Sequence, residues 1–235
     1  MLKEDGISDK MADFMNNQFN ILNNFKGFGN PKGKIWFVGV EEAADFNSNL
    51  DNIIKVYSKD FVPFRVNSIR EDALKYGKNY TEVYDIMAKI IVELYPNTDW
   101  KTYRNEKLLT ADSKEFQMNL YPLGKKNTKI WPKFYQDTFG FKDQQEYISF
   151  FKESRFKFLN EFRITEKPSF TICFGITYRD DFKIAFDLQE GIMSEFNIEY
   201  FPNERVIITP FFNNRNMGQE RINKITEIIK SRIYF

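Results

Sequence analysis

Two adjacent carboxylates, Glu41 and Glu42, follow directly on the apolar run Ile35-Trp36-Phe37-Val38, which breaks at Gly39. The chain contains no histidine, so any acid–base step must use carboxylates, lysine, tyrosine or hydrogen-bonding amides. The run has no polar alternation and is rich in β-branched and aromatic side chains, the pattern of a strand buried on both faces of a parallel sheet. Ligands of open α/β sheets bind outside the carboxyl ends of such strands, which is where Glu41 and Glu42 fall. The stretch K-I-W-F-V-G-V-E-E-A at 34–43 therefore reads as the first strand and catalytic loop of a nucleotide-handling α/β domain.

Three further apolar runs lead into distinctive loops. Residues 115–120 continue into Y-P-L-G with Asn119 near the strand end, residues 170–174 break at Gly175 before I-T-Y-R-D, and residues 205–209 lead into P-F-F-N-N-R-N-M-G. Helical spacing separates them. Residues 8–26 set Met11, Phe14, Met15, Phe19, Leu22 and Phe25 on one face, with Ser8 as the N-cap. Residues 80–95 do the same with Val83, Ile86, Met87, Ile90, Ile91 and Leu94, capped by Thr81 and stopped by Pro96. Further helices are expected over 143–163, 180–186 and 219–233, whereas 97–112 reads as polar and irregular. Without an internal repeat or linker, the alternation predicts one layered α/β domain over 1–235, with residues 1–29 as a helical extension packed on it. A parallel sheet gathers the four loops at one edge.

Composition excludes several function classes. The single cysteine, Cys173, allows neither an internal disulfide nor a cysteine-cluster metal site, and its apolar neighbours mark it as a buried small hydrophobe. Without histidine there is no Ser-His-Asp triad and no ordinary zinc hydrolase site. Lys plus Arg number 34 against 33 Asp plus Glu, a net charge of +1, which neither supports nor excludes a nucleic-acid partner. Aromatic residues make up 17% of the chain, with 26 Phe, enough to bury a substantial core. No stretch has the length and apolarity of a membrane span or a signal segment, so the expectation is a cytoplasmic monomer without membrane contact.

The four loops, in their order, resemble the motifs of the uracil-DNA glycosylase superfamily. N-L-Y-P-L at 119–123 is similar to the Asn-x-Cys-Pro-Leu element of its single-strand-selective branch, and F-G-I-T-Y-R-D-D-F at 174–182 to the strand-Gly-helix element before its last motif. The resemblance covers residues 30–232 and implies a three-layer α/β/α sandwich around a central, mostly parallel four-stranded sheet. It implies a DNA glycosylase that flips a damaged or modified pyrimidine and hydrolyses its N-glycosidic bond, with DNA as partner and no cofactor or metal. Glu41 falls where the family positions water, two residues after Gly39. Breaking the C–N bond builds positive charge on the sugar, which a carboxylate stabilises. Asn119 falls where the family reads the flipped base, its amide offering a donor and an acceptor side by side.

The chain also departs from the family pattern. Glu42 stands where a proline is usual, and the final motif has no histidine, so Asn213, Asn214 and Arg215 are the donors left for the departing base or for phosphates. Phe211, Phe212 and Met217 are candidate wedges into a duplex. Phe46 and Phe64 are candidates for the aromatic platform under the base, and Lys125, Lys126, Lys129, Arg179 and Arg215 for phosphate contacts. Structural alternatives stand beside these: Glu41 or Glu42 as a helix cap, Asn119 as an Asx turn before Pro122, the lysines as a solvated face. Two other functions also stand, a binding module of the same fold without catalysis and a nucleoside or nucleotide hydrolase.

Overall fold

A computed structural model describes residues 9–42, 54, 58, 82–125 and 130–232. Among these, seven strands form one sheet: β1 (Phe28–Gly29), β2 (Ile35–Gly39), β3 (Glu115–Asn119), β4 (Phe170–Phe174), β5 (Ile192–Ser194), β6 (Ile198–Phe201) and β7 (Val206–Thr209). Their order across the sheet is β1-β3-β2-β4-β7-β6-β5. The four expected strands are its centre, paired parallel as β3-β2-β4-β7. β2 and β4 are buried along their whole length, as an unalternating apolar run requires.

The expected count of four strands is corrected to seven by antiparallel additions at both edges. β1 joins β3 where a helical extension was expected to end. The backbone comes so close there that a Cβ on Gly27 would lie 2.0 Å from the Gln117 carbonyl, and Gly27 itself has φ +146°. On the other edge β5 and β6 form a hairpin paired to β7. No continuous apolar run marks β6, because Glu199 interrupts it. That carboxylate is 5% exposed and lies 3.1 Å from Arg179 Nε and 2.9 Å from Lys183 Nζ.

Helices cover both faces. On one lie α1 (Asp9–Asn24), α4 (Lys133–Phe139), α5 (Gln144–Glu166) and α6 (Arg179–Phe186), packed over Trp36, Val38, Phe116, Met118 and Cys173. On the other lie α2 (Glu82–Leu94) and α7 (Gln219–Lys230), over Ile35, Phe37, Ile172 and Ile207. The stretch expected to be irregular holds α3 (Trp100–Glu106), started by Asp99, whose side chain accepts from the Lys101 and Thr102 amides. Ser8 and Thr81, the expected caps, lie outside the described residues.

Candidate functional site

The parallel strands end together, and backbone hydrogen bonds carry the β2–β3 pairing beyond the strands. Gly39 and Asn119 are register partners. The Leu120 amide then donates to the Gly39 carbonyl at 3.0 Å, the Tyr121 amide to Val40 at 2.9 Å and the Lys125 amide to Glu42 at 2.9 Å. The E-E and N-L-Y-P-L-G-K segments are thus stitched side by side at the ligand edge of the sheet.

Within this seam the Glu41 carboxylate is buried, its side chain 5% exposed, and Oε2 lies 3.0 Å from Lys125 Nζ. Oε1 is buried with no hydrogen-bond partner among the described residues. Burial pushes the Glu41 carboxyl above the usual carboxylate range, and the charge of Lys125 opposes that rise. Lys125 is therefore not the phosphate-facing lysine expected from the sequence. Its side chain is 1% exposed, because the loop turns it inward onto Glu41, with the Trp131 ring centroid 5.8 Å from Nζ. The surrounding tyrosine hydroxyls are engaged with the backbone and with α6. Tyr147 accepts from the Leu123 amide at 3.0 Å, Tyr135 donates to the Gly124 carbonyl, and Tyr121 donates to Asp181 at 2.8 Å. Burial raises the Tyr121 and Tyr147 hydroxyls, and the charge of Glu41 adds to both shifts.

The Asn119 amide sits over Gly39. A Cβ there would lie 2.5 Å from Asn119 Oδ1 and 3.0 Å from the Phe174 ring, so only glycine leaves room for this amide. The backbone carbonyl of Asn119 accepts from Arg155 Nη2 at 2.9 Å, and that of Leu120 from Arg155 Nε at 2.9 Å. Arg155, 1% exposed on α5, also donates to the carbonyls of Leu22, Asn23 and Phe25 at the end of α1. No pattern in the sequence marks it, since its acceptors are backbone atoms from distant segments. Asn119 shares the Phe174 side of the sheet end, whereas Glu41 turns toward Lys125 and Trp131 on the α5 side.

The loop after β7 reaches this edge through Phe174. Phe212 stacks on it at 4.5 Å between ring centroids, and Phe211 lies 6.0 Å away. Phe212 and Met217 are buried in the core and are corrected from wedges to packing residues, because they fill the space between Phe37, Phe174 and α7. Phe211 stays 43% exposed. Asn213 Oδ1 accepts from the Asn216 amide at 2.8 Å, so this oxygen closes its own turn. Asn214 and Arg215 are exposed, and the Asn214 amide donates to Glu82 on α2 at 3.2 Å. Arg179 is committed to Glu199 of β6, which places it as a tie between α6 and the hairpin. Phe46, Phe64, Lys126 and Lys129 lie outside the described residues.

Among the described residues no group of three or more Asp, Glu or Cys side chains is arranged to hold a metal ion. Cys173 is buried in β4, which raises its thiol. No described helix is long and apolar enough to cross a membrane. No protein-family model matches the chain, and neither a curated protein nor a solved structure is significantly similar to it.

Proposed function

We propose that the chain is an N-glycosidic bond hydrolase of uracil-DNA glycosylase type, with that family's fold, acting on a damaged or modified pyrimidine in DNA. The observation that carries this reading is Glu41: a buried carboxylate at a strand end with one oxygen neutralised by Lys125 and the other without a hydrogen-bond partner among the described residues. Such a group accepts a hydrogen bond from water and stabilises an oxocarbenium-like carbon. The Asn119 amide, held over Gly39 on the adjoining strand, supplies the donor and acceptor for a pyrimidine edge. Phe211, exposed at the same edge, is the side chain suited to hold an opened duplex. Asn213, whose Oδ1 closes its own turn, would contribute through its Nδ2 donor.

In this mechanism water donates a hydrogen bond to Glu41 Oε1 and its oxygen attacks C1′. The C1′–N bond breaks with its electron pair leaving on the base, and the water proton finally resides on that base. The test is a panel of single- and double-stranded oligonucleotides carrying uracil and modified cytosines, scored for abasic product by alkaline cleavage. Product is expected with at least one base and is lost in Glu41→Gln. Binding without product across the panel replaces this reading with the non-catalytic module, and turnover of free nucleosides alone replaces it with a small-molecule hydrolase.

A further inference from the structure

We propose that Lys125 is the positioning residue for Glu41: its buried ammonium holds one carboxylate oxygen and leaves the other as a charged acceptor for the reacting water. This deepens the reading of Glu41 given above and rests on it for the catalytic part. A carboxylate taken out of water alone loses several kcal/mol of solvation and takes up a proton instead. Here the compensating cation lies 3.0 Å away and is equally buried, its side chain 1% exposed against 5% for Glu41.

The pairing is imposed by the backbone. The Lys125 amide donates to the Glu42 carbonyl at 2.9 Å, so the loop bearing the cation is registered against the loop bearing the anion. Among the described residues no tyrosine hydroxyl accepts a hydrogen bond from the Lys125 ammonium. Glu41 is the only ion-pair partner of Lys125 among the described residues, and only Oε2 is in that contact. The result is an asymmetric carboxylate, with Oε2 neutralised and Oε1 without a hydrogen-bond partner among the described residues. A lysine serving a phosphate would be exposed, whereas the Lys125 side chain is 1% exposed.

The experiment follows the ionisation of Glu41 directly, by carboxyl carbon NMR of the full chain with labelled glutamate, Glu41→Gln assigning the resonance. In Lys125→Met the Glu41 titration is expected to move up by about one to three pH units, the effect of removing a neighbouring opposite charge. The acid limb of the kcat/KM profile should move with it, Lys125→Arg should restore most of both, and Lys152→Met, which breaks the separate pair with Asp181, should move neither. A folded Lys125→Met with an unshifted Glu41 titration overturns the proposal. Should Lys125→Met prove too unstable to titrate, Glu41→Gln/Lys125→Met is expected to melt above it, because the uncompensated buried charge is gone, and equal melting overturns the proposal. The titration and melting arms need no substrate, so failure of the oligonucleotide panel sinks the glycosylase reading without deciding the role of Lys125.

Discussion

Gly39 and Asn119 are register partners at the ends of β2 and β3, and the Asn119 amide occupies the volume that any side chain on Gly39 would need. Alanine at 39 would put its Cβ 2.5 Å from Asn119 Oδ1 and 3.0 Å from the Phe174 ring. The amide must then swing away, at a stability cost of about 1–3 kcal/mol. Turnover in Gly39→Ala is expected to fall by roughly tenfold or more, the scale on which misplaced polar contacts act. Steady-state kinetics beside a melting curve checks this, and wild-type kcat/KM in the variant would show that the amide is not used.

Asn119→Asp probes which pyrimidine the site reads. A carboxylate keeps the acceptor and loses the amide donor, which disfavours a base edge presenting a carbonyl and favours one presenting an exocyclic amine. The ratio of activity on cytosine-type over uracil-type bases is expected to rise by about 1–3 kcal/mol in transition-state terms. Competition between two labelled oligonucleotides in one reaction reads the ratio without depending on absolute rate.

Glu115, at the start of β3, makes stability depend on pH. Burial raises its carboxyl from an ordinary value of 4.5 to about 7, although the Tyr103 hydroxyl and the Leu109 amide each donate to it at 2.7 Å. The folded chain therefore holds a proton that the unfolded chain releases. The stabilisation is complete below the unfolded value near 4.5, is lost as pH rises to about 7, and the curve is then flat. The span corresponds to on the order of 3 kcal/mol. Urea melts at pH 5 and pH 8 should differ in this sense, and Glu115→Gln should remove most of the difference.

Arg155 ties α1 to the site. Its guanidinium serves five carbonyls, those of Leu22, Asn23, Phe25, Asn119 and Leu120. Replacing it with methionine leaves buried acceptors unpaired, at about 1–3 kcal/mol for each acceptor that water cannot reach. Hydrogen exchange should show α1 amides losing protection before those of β2 and β4. Uniform loss across the sheet would contradict a local tie.

Phe211 and Phe212 are neighbours with opposite fates. Phe212→Ala should cost about 3–5 kcal/mol, because it opens a cavity between Phe37 and Phe174. Phe211→Ala should change stability by less than about 0.5 kcal/mol and weaken binding to duplex substrate more than to single strands. Paired thermal melts and binding titrations separate the two.

Much of this architecture was legible along the chain. Of the four central strands, β2, β4 and β7 are largely apolar runs, whereas β3 alternates as E-F-Q-M-N. They end in Gly39, Asn119, Phe174 and Thr209, and α2, α5, α6 and α7 follow the 3.6-residue spacing of their apolar positions. Glu41 and Asn119 were visible as candidates because polar residues directly after buried strands fall at the ligand edge. The additions at the sheet edges were not. β1 has two residues, β5 three, and β6 carries a charged residue, Glu199, that is ion-paired with Arg179 and Lys183 from α6.

The sequence by itself determined the chemical inventory: no histidine, one thiol within an apolar run, two carboxylates after the first apolar run and an asparagine near the end of another strand. Those are local facts, set by residue type and period. Only the tertiary structure decided which charges meet. Lys125 reads as an exposed cation in a basic loop, and becomes the buried counter-ion of Glu41 because two strand-end loops from distant parts of the chain are hydrogen-bonded in register. Asn119 lies over Gly39 for the same reason. Strand pairing joins residues far apart in the chain through backbone groups common to every residue type, so side-chain identity alone does not encode which two loops it brings together.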